Sequence, residues 1–205
     1  TKRQKYMSCK VEKSKISGTI DCPSNKSYTH RGIFLASLAG NNSRVENVLI
    51  SADTQATIDA CKKFGAIIEV NDSTVIVKES IKIGSKVSKI DAKNSGTTIR
   101  IAMGIASLFS EEITLTGDDS IQKRPMQPLL DALASIGAKC SSTEGKPPVK
   151  IKGKISGGDI IIPGNLSSQF ITSLLISAPL TKNGINLTIE GDLVSKPYLD
   201  ATIAT

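Results

Sequence analysis

One order of elements recurs three times along these 205 residues, and an internal repeat constrains a fold more than any local propensity. Each pass opens an almost wholly apolar helix with a serine- and threonine-rich cluster, then gives a short β-branched strand, an acidic residue and a second helix. In the first pass "SYTHRGIFLASLA" predicts a helix over 27–39, followed by the strand "RVENVLI", Asp53 and a helix ending near 64–66. The second pass predicts a helix over 96–109, the strand "EITLTG", Asp118 and Asp119, and a helix in "RPMQPLLDALASIGA" stopped by Gly137. The third begins with the strand "DIIIPG" and continues with a helix over 168–178, the strand "INLTIEG", Asp192 and a helix in "KPYLDATIAT".

Paired strands close the first two units, "AIIEV" with "TVIVK" and "AKCSS" with "VKIKG", and none follows in the third. Asn71 and Asp72 between two β-branched runs signal a hairpin, while "EGKPPVK" reads as a looser turn. The helices "GIFLASLA", "IAMGIASLF" and "ITSLLISAP" are apolar on nearly every face, so they belong inside the domain. The fold class is α/β, with repeated βαβαββ units around buried parallel helices.

Three buried helices repeated about an axis point their amino termini in one direction. A helix amino terminus presents unpaired N–H groups and about half a positive charge, so it holds phosphate or carboxylate. One Ser or Thr at such a position is an ordinary cap; three clusters at the same place in a repeat point to a shared anionic ligand. In the first unit Ser27 and Arg31 are four residues apart on one face, with Lys26 just ahead of them. In the second, Gly96 lets a ligand approach the backbone, and Asn94, Ser95, Thr97 and Thr98 surround it with donors. The third supplies Ser167, Ser168 and Gln169, all neutral donors. Arg124 sits in a polar loop before Pro125, a proline suited to the first position of a helix. His30, the sole histidine, has no evident carboxylate partner and reads as structural.

A net charge of +7 suggests anionic company. Aromatic content of only 3% and scattered cations argue for a small phosphorylated metabolite over nucleic acid. The basic stretch at the amino terminus reads as a solvated tail leading into a strand, with Met7 a possible natural start and no apolar core of a leader behind it. Cys9, Cys22, Cys61 and Cys140 form no CxxC pair and are expected to be free thiols. No apolar run reaches membrane-spanning length, and a soluble cytoplasmic protein is expected.

In this order "PSNKSYTHR", "NSGTTIR", "GDDSIQKRP", "SSQF" followed by "APL", and "GDLVSKPYLD" resemble the amino-terminal half of the 5-enolpyruvylshikimate-3-phosphate synthase family. The match runs from about residue 18 onward. The resemblance implies two similar domains in an inside-out, barrel-like α/β arrangement. Residues 18–205 would form one substrate-binding domain of three repeats, near 18–85, 86–153 and an incomplete 154–205. Residues 1–17 would be the tail and a strand leading in from the other domain, which is absent. The implied reaction transfers the carboxyvinyl group of phosphoenolpyruvate to the 5-hydroxyl of shikimate 3-phosphate on the route to chorismate and the aromatic amino acids. No metal or organic cofactor is implied, and the full-length protein is expected to be a monomer without nucleic-acid or membrane partners.

Carried over by motif, Lys26 would contact phosphoenolpyruvate and take part in proton transfer, while Ser27 and Arg31 would hold the shikimate carboxylate region. Gly96 and Arg124 would bind phosphoenolpyruvate, with Asn94 and Thr97 shaping that loop. Ser167, Ser168 and Ser195 would take the 3-phosphate, Gln169 would bridge both substrates and Tyr198 would line the shikimate side. The family often carries Asn and Pro where this chain has His30 and Ile101. Its acid/base carboxylates belong to the second domain, so this chain alone is expected to bind shikimate 3-phosphate weakly and turn over nothing. Two alternatives stand beside this. One is the related enolpyruvyl transfer to UDP-N-acetylglucosamine, whose pattern has a Cys in the loop that here reads Asp118 to Lys123; the other is a non-catalytic anion- or nucleic-acid-binding module.

Overall fold

The computed structural model describes residues 8–205. Its helices are α1 (Lys26–Ala39), α2 (Ala52–Lys63), α3 (Gly96–Ala106), α4 (Gln127–Ser135), α5 (Ser168–Ser177) and α6 (Lys196–Ala204). Its strands are β1 (Ser43–Val45), β2 (Ile67–Asn71), β3 (Thr74–Glu79), β4 (Lys89–Asp91), β5 (Ile113–Thr116), β6 (Lys139–Thr143), β7 (Lys146–Lys152), β8 (Gly158–Pro163) and β9 (Ile185–Glu190). Residues 8–25 form neither helix nor strand, so the strand expected to follow the basic tail is not formed over 8–17, where among the described residues no neighbouring strand is there to pair with it; the basic residues 1–7, Met7 included, lie outside the described region.

Each apolar helix starts where a side chain satisfies its first-turn donors. Asn25 accepts from the Tyr28 N–H at 3.1 Å, Ser95 from that of Thr98 at 3.2 Å, and Ser167 from that of Gln169 at 3.4 Å. α2 carries a reciprocal capping box between Ser51 and Thr54. Every residue of α3 except Thr97 is buried, as expected of a helix apolar all round. It lies beside α5, where the Gly104 N–H donates to Ser173 Oγ at 3.1 Å and that hydroxyl donates to the Arg100 carbonyl at 2.6 Å. A β-carbon on Gly104 would come within 2.7 Å of the Ser173 carbonyl oxygen, so only glycine permits this approach. Phe64 and Phe109, with ring centroids 5.4 Å apart, join the cores of the first two repeats.

The sheets show how the repeats correspond. In the second unit the strand order is β4-β5-β7-β6, with β4 parallel to β5, β7 antiparallel to β5 and β6 antiparallel to β7. The first unit has the last three positions, β1-β3-β2, all antiparallel; the third has the first two, the parallel pair β8-β9. Among the described residues these sheets stay separate and close no barrel.

Three further local expectations change. The strand expected over "RVENVLI" ends at Val45 because Asn47 adopts a left-handed φ of 54°. The backbone beyond it turns toward α1, where the Leu49 N–H donates to Thr29 Oγ1 at 3.0 Å. The "EGKPPVK" connection is tight, since Glu144 and Gly145 take φ of 52° and 70° in a two-residue turn between β6 and β7. Pro125 stays in the loop, and the proline in the first turn of α4 is Pro128.

Candidate substrate-binding site

The amino termini of α1, α3 and α5 and the start of α6 meet at one pole, around a cavity of about 350 Å³. Lys26, Ser27 and Arg31 line it from α1, Thr97 from α3, Ser167, Ser168 and Gln169 from α5, and Ser195 and Tyr198 from α6. Two cations and four hydroxyl-bearing serines face it, and no carboxylate does. Such a lining suits a phosphorylated, carboxylated small molecule. A larger hollow of about 590 Å³ beside α4 and β8 offers an anion only Asp131 and Asp159 as charged groups.

Arg31 is 2% exposed, and its guanidinium is held from three helices. Nε donates to Thr202 Oγ1 at 2.8 Å, Nη1 to the Ser27 carbonyl at 2.9 Å, and Nη2 to Thr172 Oγ1 and the Tyr198 carbonyl at 3.1 and 2.9 Å. Burial holds its pKa below the usual arginine value, yet the fork remains charged and fixed. Its place is that of a rigid charge on the cavity wall. Lys26 is half exposed and reaches Asp53 Oδ2 on α2 at 3.0 Å. Asp53 is therefore the second-helix residue that orients the lysine, a role the repeat reading did not assign.

Beyond Thr97 the pole continues to Gly96. An Arg124 guanidinium nitrogen occupies the space a β-carbon on Gly96 would fill, and Arg100 Nη1 comes within 3.1 Å of the same point. Two guanidinium groups thus gather over the start of α3. Burial, and then the nearby Arg124 charge, lower the Arg100 pKa to about 10. Arg100 also stacks over Phe170 at 5.2 Å and donates to Gln169 Oε1 at 2.5 Å, while Gln169 Nε2 donates to Thr97 Oγ1 at 3.0 Å. Gln169 thereby ties α5 to α3 between the two parts of the site. Sequence reasoning passed over Arg100, although a lone cation inside "TIRIAMGIA" must find partners once buried.

Asn94 stands apart from these groups. It lines a separate hollow with Lys93 and Asp118, outside the main cavity. The loop carrying Arg124 is built on Asp118, whose Oδ1 accepts from the Ser120 N–H and hydroxyl and from the Ile121 N–H at 2.7 to 3.0 Å. Gly117 packs against the Lys93 carbonyl in a space too small for a β-carbon. Among the described residues no three His, Cys, Asp or Glu side chains cluster as metal ligands.

The family model described as EPSP synthase (3-phosphoshikimate 1-carboxyvinyltransferase) matches residues 11–205. This chain belongs to the EPSP synthase family. A 3-phosphoshikimate 1-carboxyvinyltransferase of Nitrosopumilus maritimus is 76% identical over 199 residues, covering 97% of this chain and 47% of the relative. One from Methanocella arvoryzae is 46% identical, over 96% of this chain and 47% of its own length. The chain thus spans about half the length of the curated relatives it matches. Among solved structures, EPSP synthase of Acinetobacter baumannii superimposes with a TM-score of 0.76 at 27% identity, covering 85% of this chain and 41% of that one.

Proposed function

We propose that this chain supplies the shikimate 3-phosphate pocket, and part of the phosphoenolpyruvate pocket, of an enzyme that transfers a carboxyvinyl group to the 5-hydroxyl of shikimate 3-phosphate. The observation that carries the reading is the carboxylate-free cavity where three helix amino termini converge with Lys26 and Arg31. In that site Ser167, Ser168 and Ser195 hold the 3-phosphate, Ser27 and Arg31 the shikimate carboxylate region, and Tyr198 flanks the ring. Gln169 bridges the two substrates. Gly96 and Arg124, with Arg100 behind them, hold phosphoenolpyruvate, and Lys26 stands where proton transfer takes place.

The substrate hydroxyl gives up its proton to a base as its oxygen bonds to C2 of phosphoenolpyruvate, and C3 gains a proton from an acid. The tetrahedral intermediate then loses phosphate from C2 and a proton from C3, which leaves the enol ether. Fixed cations and N–H groups stabilise the charge that builds on phosphate and carboxylate in these steps. The carboxylates that move the protons are assigned to the second half of the enzyme, and this chain alone is expected to be inactive. We place the enzyme in the cytoplasm.

Transfer to UDP-N-acetylglucosamine is disfavoured because the loop ahead of Arg124 holds no cysteine and Cys140 lies in β6. A nucleic-acid module is disfavoured because several surface lysines of the described residues pair locally with acids, as Lys78 does with Glu69, Lys82 with Glu79 and Lys150 with Glu112. Calorimetry of the chain with shikimate 3-phosphate and, separately, with a random oligonucleotide decides between them. Saturable shikimate 3-phosphate binding without turnover is expected. Tight oligonucleotide binding that falls steeply with salt would overturn the proposal, and so would steady turnover by this chain overturn its inactive half.

A further inference from the structure

Four buried side chains outside the cavity are linked in a line that no role above uses. His30 on α1 is 1% exposed, and its Nδ1 lies 2.7 Å from Thr57 Oγ1 on α2. Thr57 Oγ1 is 2.7 Å from Thr98 Oγ1 on α3, which donates to Ser95 Oγ at 2.7 Å. The line crosses three helices and two repeats, and it stops at the residue that caps α3. The next two residues are Gly96, under Arg124, and Thr97, on the cavity wall.

Proton counting sets its direction, because each hydroxyl has one proton to give. Ser95 Oγ keeps a lone pair for the Thr98 N–H at 3.2 Å and accepts the Thr98 hydroxyl proton with another, since its 2.7 Å contact is much shorter than the 3.4 Å to the other acceptor, the Asp53 carbonyl. Thr98 therefore accepts from Thr57, which leaves Thr57 no proton for His30. Nδ1 must then be the donor, with Nε2 bare. Nε2 is buried and has no partner. The reverse order would point an N–H into that acceptor-free space, the costlier arrangement.

Building on the function proposed above, we propose that His30 is a positioning residue for the phosphoenolpyruvate side of the site. As the Nδ1–H tautomer it starts a His30–Thr57–Thr98–Ser95 relay that pins the first turn of α3 and keeps the Gly96 backbone and Arg124 in register. The unpaired N–H groups of that turn are the ones an anion uses. His30 is neutral at working pH, since burial lowers its pKa to about 4 even though Asp53 on α2 opposes Lys26 and Arg31 on α1. The relay thus holds through the neutral range.

The test uses this chain, its Thr57→Val, His30→Ala and His30→Asn variants, and Thr57→Ser as a control that keeps the hydroxyl. Amide exchange at Gly96, Thr97 and Thr98 is read together with calorimetric affinities for shikimate 3-phosphate alone and for phosphoenolpyruvate in its presence. The net worth of one such hydrogen bond corresponds to about a tenfold effect. Thr57→Val and His30→Ala should speed exchange at these three amides by about that factor, leave α1 unchanged, and raise the phosphoenolpyruvate Kd about fivefold, with shikimate 3-phosphate moving less than about twofold. His30→Asn, which keeps an N–H donor, should restore most of the loss. Nitrogen NMR of the His30 ring should find the proton on Nδ1. Unchanged exchange in Thr57→Val, equal losses for both ligands or a proton on Nε2 would refute the relay. If the unmodified chain binds neither ligand, the proposed function falls, while the exchange and tautomer readouts still judge the relay.

Discussion

Lowering the pH charges His30 in the unfolded chain well before it charges it in the folded one. The imidazole titrates near 6.5 when solvated and near 4 in the fold, where burial opposes the cation. Between those values the unfolded state binds more protons, so stability falls as pH falls and levels off below the folded pKa. At about 1.4 kcal/mol per pH unit, the gap is worth about 3 kcal/mol at pH 4. Asp53, Lys26 and Arg31 are the charged groups that face the ring. Urea unfolding at pH 7 and pH 4, for the unmodified chain and for His30→Asn, isolates the effect because the other carboxylates are common to both. The chain with His30 should lose about 3 kcal/mol more than the variant, a midpoint shift of about 1.5 M for a slope near 2 kcal/mol/M. A difference below about 0.5 kcal/mol would refute burial as the cause of the shift.

Gly104→Ala drives a methyl into the Ser173 carbonyl and should cost about 1–3 kcal/mol by urea unfolding. Arg31→Lys removes the fork that bonds Thr202, Thr172 and two carbonyls and should weaken shikimate 3-phosphate binding about tenfold or more, measured by calorimetry. Asp53→Asn breaks a partly exposed ion pair worth at most about 1 kcal/mol, so thermal stability should barely change. Its added positive potential should tighten inorganic phosphate binding a few-fold, with a steeper salt dependence.

The buried helices were legible because each is a continuous apolar run behind a capping side chain, Asn25, Ser95 or Ser167. The grouping of Lys26, Ser27, Thr97 and Ser168 followed from their equivalent positions in the repeat. What could not be read was tertiary or depended on a single φ. Asn47 ends a strand that β-propensity would have extended, and β4 is three residues among polar neighbours. The partners of Arg31 at Thr172 and Thr202 lie 141 and 171 residues away, and no local pattern announces them. Asn94 shares a sequence motif with Gly96 but faces a different hollow, because the chain turns at Lys93, whose φ is 52°.

The bond from Arg31 to Thr202 stitches the last turn of α6 to the first helix. Anything that disturbs α6, such as a bulky insertion or a protease nick, will therefore be felt as a loosened guanidinium on α1. Engineers of this chain should treat residues 198–202 as part of the binding pocket.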